Sequence, residues 1–173
     1  MNFSLPQAIE LLGRTPVTLA ALLSDLSPAW VESGGDRTNW DPITVVGHLI
    51  HADETDWIPR AEVILKQSAD CRFSDFDRFG QFEKSEGRSL DRLLADFAAI
   101  RKASLETLDG WQLNPEMLTL TGIHPEFGEV TLEQLLATWV VHDLGHIRQI
   151  VSYLAAKYGN AVGPWKQYLS ILK

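Results

Sequence analysis

The strongest constraint on this chain is residues 131–157, TLEQLLATWVVHDLGHIRQIVSYLAAK. Thr131 with Gln134 three positions on is a capping box, so the sequence predicts a helix that begins there. Leu132, Leu135, Leu136, Trp139, Ile147, Ile150, Val151 and Leu154 recur with helical period on one stripe. His142 and His146 fall on the same stripe, four apart, so both imidazoles leave one face a turn apart. Imidazoles in an apolar seam cost free energy unless their nitrogens are satisfied. A metal ion satisfies both at once, since neutral His is a common metal ligand; two hydrogen-bonded core histidines are the alternative. The spacing alone arises often by chance and does not choose between them.

Three further helices can be read. Ser4 with Gln7 starts the first, about 4 to 26, with Ile9, Leu12, Leu19, Leu22, Leu23 and Leu26 on one face. Pro16 inside it predicts a kink or local break, and Pro28 with the SGGD run at 33–36 ends the element. Asp41 then Pro42 starts the second helix, with Val45, Val46, Leu49, Ile50, Trp57, Ile58, Val63 and Ile64 inward. Pro59 should bend or end that helix. His48 lies on its inward side, with His51 a turn on. Ser89 caps the third helix, Leu90, Leu93, Leu94, Phe97, Ile100, Leu105 and Leu108 face the core, and Gly110 ends it.

The connections are less legible. Residues 67–88 carry Phe73, Phe76, Phe79 and Phe82 every three positions, which fits a short helical turn or a loop covering a site. Residues 111–130 contain Pro115, Gly122, Pro125 and Gly128 and read as a long crossing loop. The tail WKQYLSILK is expected to pack back through Trp165, Tyr168, Leu169 and Leu172. Four amphipathic helices without a convincing strand pattern imply an all-α four-helix bundle, up-down-down-up with a long crossover between the second and third helices.

At 173 residues the chain reads as one domain, 1–173. It has no apolar run long enough for a membrane span and no leader of signal-peptide type. One cysteine, Cys71, excludes an internal disulfide and fits a reducing cytoplasm. A net charge of -8 argues against a nucleic-acid partner, which requires clustered cations. The six tryptophans read as core and helix-end packing.

Two segments, WDPITVVGHLIHADETDW and HPEFGEVTLEQLLATWVVHDLGHIRQI, together with RTPVTLAALLSDL and VGPWKQYL, resemble the DinB-like (DinB/YfiT) family in its DinB_2 branch. The likeness rests on a His following a tryptophan-led turn, then HDxxHxxQ about ninety residues later. It implies a four-helix bundle with one divalent metal ion held by His48, His142 and His146. Many relatives carry another His beside the last ligand, where this chain has Gly145. His51 and His124 match no ligand position: His51 reads as a packing or supporting residue, and His124 as part of a loop near the site mouth. Asp143 points about 100° away from the ligand face and is expected to orient a group rather than bind metal. Asp53 and Glu54 read as solvated surface carboxylates, with a ligand-orienting or base role as the alternative.

Three imidazoles with an open coordination position lower the pKa of a bound water or thiol and so generate a nucleophile. The resemblance therefore implies an enzyme, a thiol-dependent transferase or a hydrolase acting on a small molecule, with the base unassigned. Cys71 in a connector is read as inert. The alternative is a non-catalytic metal-binding or stress-associated bundle, in which the ion staples two helices. Zinc is the expected ion and nickel the next, since both suit imidazole. A low-molecular-weight thiol is the expected cosubstrate, and the resemblance also implies a homodimer through the first and last helices.

Overall fold

The backbone of the computed structural model is carried by four long helical arms; it describes residues 2–32 and 40–173, and the SGGD run lies outside them. The first arm is α1 (Leu5–Leu23), followed by a short turn, α2 (Pro28–Val31). The second arm is α3 (Pro42–Ala52), a π-helical turn (Asp53–Trp57) and α4 (Ile58–Lys66). A connector with the short α5 (Gly80–Ser85) leads to the third arm, α6 (Leu90–Gly110). Then come α7 (Pro115–Leu118), the strands β1 (Thr121–His124) and β2 (Gly128–Thr131), and the fourth arm, α8 (Leu132–Lys157).

The caps form as the residue types require. Asp41 accepts from the Thr44 amide at 2.8 Å, and Ser89 from Arg92. Thr131 and Gln134 close both halves of their box, at 3.1 and 2.9 Å. The Ser4–Gln7 box is not made: Ser4 is extended without a side-chain bond, and Pro6 in the first turn supplies the helix start instead.

Two prolines act differently from expectation. α1 runs unbroken through Pro16. A proline leaves the carbonyl four residues back without its donor, here that of Leu12, and the Arg101 guanidinium fills the vacancy with an Nη1 bond of 3.0 Å. Pro59 is accommodated by the π-turn just before it, at the start of α4. That turn is the bend expected in the second helix.

Two apolar clusters give the wiring. One gathers Leu12, Trp57, Leu108, Leu132, Leu136 and Trp139; the other gathers Leu19, Val45, Leu49, Leu93, Phe97 and Ile150. α1 and α8 run from the first cluster to the second, whereas α3–α4 and α6 run the other way. This is up-down-down-up, as expected. Both α1 and α3 pack against α6 and α8, so the first two arms sit diagonally across the bundle. Gly47 permits α5 to approach α3, since a Cβ there would lie 2.9 Å from the Gln81 carbonyl oxygen.

The structure decides three expectations outside the helices and corrects the first and the last of them. Residues 121–131 form a two-stranded antiparallel hairpin, Thr121 paired with Thr131 and His124 with Gly128. Strands of four residues are too short for an alternating pattern to stand out. Residues 67–88 supply both a short helix, α5, and a loop covering the site, in which the Phe73 amide donates to the Ile123 carbonyl. The tail does not pack back through its aromatics. Residues 163–172 form two 3₁₀ turns that leave Trp165 70% and Tyr168 75% exposed, because the 3₁₀ repeat places residues three apart on one edge.

Candidate metal centre

Between the two apolar clusters every arm contributes a polar residue: Thr15, Asp53, Arg101 and Asp143 are all buried. Arg101 sits at the middle. Its Nε and Nη2 reach Asp53 at 2.7 and 2.9 Å, its Nη1 and Nη2 reach Asp143 at 2.5 and 3.2 Å, and its Nη1 also donates to Leu12. These five bonds equal the five donors of a guanidinium. The rings of Phe97 and Trp139 lie 4.9 and 5.0 Å from its central carbon. One cation faces two carboxylates, so the cluster holds an excess negative charge. Burial pushes Asp143 up, but the neighbouring His142 ring and the Arg101 charge outweigh it and hold the carboxyl below its usual range. Asp53 is the higher of the two, raised by burial and by the Asp143 charge against the pull of Arg101.

Asp53 is therefore no surface carboxylate. Glu54 is exposed and pairs with Lys84. Arg101 was not among the sequence candidates, although Phe97, Arg101, Ser104 and Leu108 are all buried at helical spacing.

Beside this network, α3 presents His48 and α8 presents His142 and His146. His48 Nε2 lies 3.0 Å from His142 Nε2, and His146 Nε2 lies 3.1 Å from the same atom. One ligand atom from each ring falls within 4.8 Å of the other two. Burial first, then the neighbouring histidines, lowers His48 to about 3; burial and His142 lower His146 to about 4, against a pull upward from Gln149 and Asp143. Both rings are neutral at pH 7, the ligating form.

The protons show that these residues fit a cation. His146 Nδ1 donates to Gln149 Oε1 at 2.8 Å, which leaves a lone pair on its Nε2. His48 Nδ1 and His142 Nδ1 are buried without a hydrogen-bond partner among the described residues, Asp143 Oδ1 standing 3.8 Å from the latter. A single hydrogen on His142 Nε2 cannot serve both facing nitrogens well. A divalent ion between the three takes one lone pair from each facing Nε2 and removes that conflict.

His48 and His142 open onto a cavity of about 550 Å³, whose other walls include Asp56, Trp57, Phe76, His124 and Phe127. His51 is turned away from the cluster. Its Nε2 donates to the Asp77 carbonyl at 3.0 Å, and its ring fills the space a Cβ on Gly80 would occupy, so it holds the connector in place. His124 stands at the cavity mouth, where its Nδ1 accepts from the Glu126 and Phe127 amides at 3.1 and 3.3 Å. Cys71 lies apart, donating to the Ser68 carbonyl. A Cβ on Gly145 would meet open space.

The fold and site together define a four-helix bundle with three converging imidazoles at the wall of a small-molecule-sized cavity. The chain belongs to the DinB superfamily, whose DinB_2 family model matches residues 11–150. Among solved structures it resembles YfiT from Bacillus subtilis, described as a probable metal-dependent hydrolase with an unusual four-helix bundle topology; the TM-score is 0.75 at 20% identity, covering 91% of each chain. That likeness establishes the fold. A search of curated protein sequences finds no match.

Proposed function

We propose that this protein is a metal-dependent enzyme in which His48, His142 and His146 hold one divalent cation through Nε2, and that it acts on a small molecule in the adjoining cavity. The observation that carries this reading is the convergence of three imidazoles, from two arms, at a cavity wall. Such an ion acidifies a bound water or thiol, and so supplies a nucleophile near neutral pH. Gln149 fixes the His146 tautomer, and Trp57, whose ring meets that of His142 edge-on at 5.0 Å between centroids, limits how far it can turn. Trp57, Phe76 and Phe127 make much of the cavity wall apolar, which favours a substrate with a planar or apolar body. The nucleophile is water in a hydrolase or a low-molecular-weight thiol in a transferase. Zinc or nickel suits three nitrogens, and a cytoplasmic setting suits the free cysteine.

Elemental analysis of purified protein tests this directly. The expected result is about one zinc or nickel per chain, with His142→Ala losing more than roughly a hundredfold in metal affinity while remaining helical, since losing an outer-shell partner alone costs 10–100-fold. Metal-free wild-type protein would remove the reading. Because the cluster joins α3 to α8, an ion there also ties two arms together. Chelation that lowers the melting temperature, in protein without turnover of esters or thiol acceptors, would favour the stapling role.

We place a homodimer on the α1–α8 face, where Leu11, Val141 and Leu144 are 46%, 68% and 47% exposed. Light scattering should then give twice the chain mass of 19.4 kDa, and Val141→Lys should return the single-chain mass.

A further inference from the structure

The second arm contains a device that a regular helix could not supply. Asp56 is eight residues beyond His48, and the 3.6-residue repeat would rotate it roughly 80° away from that histidine's face. The π-turn Asp53–Trp57 inserts an extra residue into the turn and rotates it back, so that His48, Ala52 and Asp56 all line the same cavity. Single π-turns inside helices recur at functional sites. Asp56 is only 8% exposed, and its Oδ1 lies 2.6 Å from Arg60 Nε. Both side chains are 11% exposed, so the pair is not an ordinary solvated i,i+4 bridge.

We propose that Asp56 is the general base of this cavity, taking the proton from the nucleophile that attacks the substrate. The inference rests on the metal-dependent reading above and adds the residue that reading lacks. The O–H bond of water, or the S–H bond of a thiol, breaks as its proton passes to a carboxylate oxygen of Asp56. The freed electron pair forms the bond to an electrophilic carbonyl carbon, whose π electrons move onto oxygen. When those electrons return, the bond to the leaving group breaks, the Asp56 proton passes to that group, and the carboxylate is restored. Arg60 fixes the carboxylate while this happens.

The surroundings suit a base. Burial pushes the Asp56 carboxyl up, the chief effect, while Arg60 on α4, His142 on α8, His124 on β1 and His51 on α3 pull it down. The net direction is up, toward the range where a carboxylate accepts a proton readily.

The test compares zinc-loaded wild type with Asp56→Asn by calorimetric titration with acetohydroxamic acid, which surrenders a proton on binding a metal, and with azide, which surrenders none. Asp56→Asn should keep its zinc and bind azide equally well or more tightly. It should lose roughly ten- to a hundredfold in affinity for the hydroxamic acid, the size of effect an outer-shell partner exerts. Equal hydroxamic-acid affinity in two zinc-loaded proteins overturns the inference and leaves the metal site standing. Wild type that takes up neither zinc nor nickel overturns the metal reading and this inference with it. Should Asp56→Asn fail to fold, Asp56→Ser decides the matter: with zinc retained, a loss of hydroxamic-acid affinity without a loss of azide affinity supports the base, and equal changes for both probes, or none, overturn it.

Discussion

Arg101→Met should cost on the order of 3–5 kcal/mol of folding stability, read as a shift of the urea midpoint at pH 7. That is a large share of the 5–15 kcal/mol typical of a folded chain. The cost comes less from the bonds lost than from what they leave behind. Asp53 and Asp143 would remain buried and facing one another, and the Leu12 carbonyl, already deprived of a donor by Pro16, would have no partner. Methionine fills much of the volume against Phe97 and Trp139, so the effect reports charge rather than a cavity. Adding Asp53→Asn and Asp143→Asn to Arg101→Met should recover a large part of the loss, because an absent buried ion network costs less than a broken one. A single-variant loss under about 1 kcal/mol would mean the guanidinium is not confined as described.

The same network bears on the site. Asp143 follows His142 in the chain, and Arg101 clamps its carboxylate from the opposite side. Through that clamp all four arms are fixed around the turn of α8 that presents His142. Asp143 thus finds its partner in a guanidinium of the third arm, while its Oδ1 stands 3.8 Å from His142 Nδ1.

What could be read from the residues was whatever is local. The caps at Asp41, Ser89 and Thr131 lie within four residues of the groups they satisfy, and the His142–His146 spacing is a property of one helix. His48 could be placed on an inward face but joined to the other two only by resemblance, since nothing in a helix records what faces it. Asp53 was misjudged because a carboxylate is ordinarily solvated, and its burial depends on an arginine 48 residues away. The role of Pro16 was hidden for the same reason: a proline shows which carbonyl it frees, but not which donor arrives. Asp56 gives no signal in the sequence, because a 3.6-residue repeat turns it roughly 80° from His48 and only the π-turn brings it to the same cavity. The hairpin was missed because each strand is only four residues long.

Metal-free protein should lose stability steeply as pH falls below about 6.5, an effect large enough to compete with Arg101→Met. His48 and His146 are held neutral in the fold, with values lowered to about 3 and about 4 from 6.5, chiefly because burial disfavours their charged form. A base whose folded value is depressed binds fewer protons folded than unfolded, so acid favours unfolding. The contribution is fully present above pH 6.5, where both states are neutral, and disappears as pH falls toward 4 and then 3. Each ring gives a slope of up to roughly 1.4 kcal/mol per pH unit inside that window. Urea denaturation at pH 7.5, 6.0 and 5.0 measures it, and His48→Gln should flatten the slope by about half. Loading with zinc should move the whole decline to lower pH, because protons must then displace the ion before they can reach the rings. A metal-free protein equally stable at pH 7.5 and 5.0 would mean the imidazoles are solvated, and the close three-ring cluster would not describe the molecule in solution.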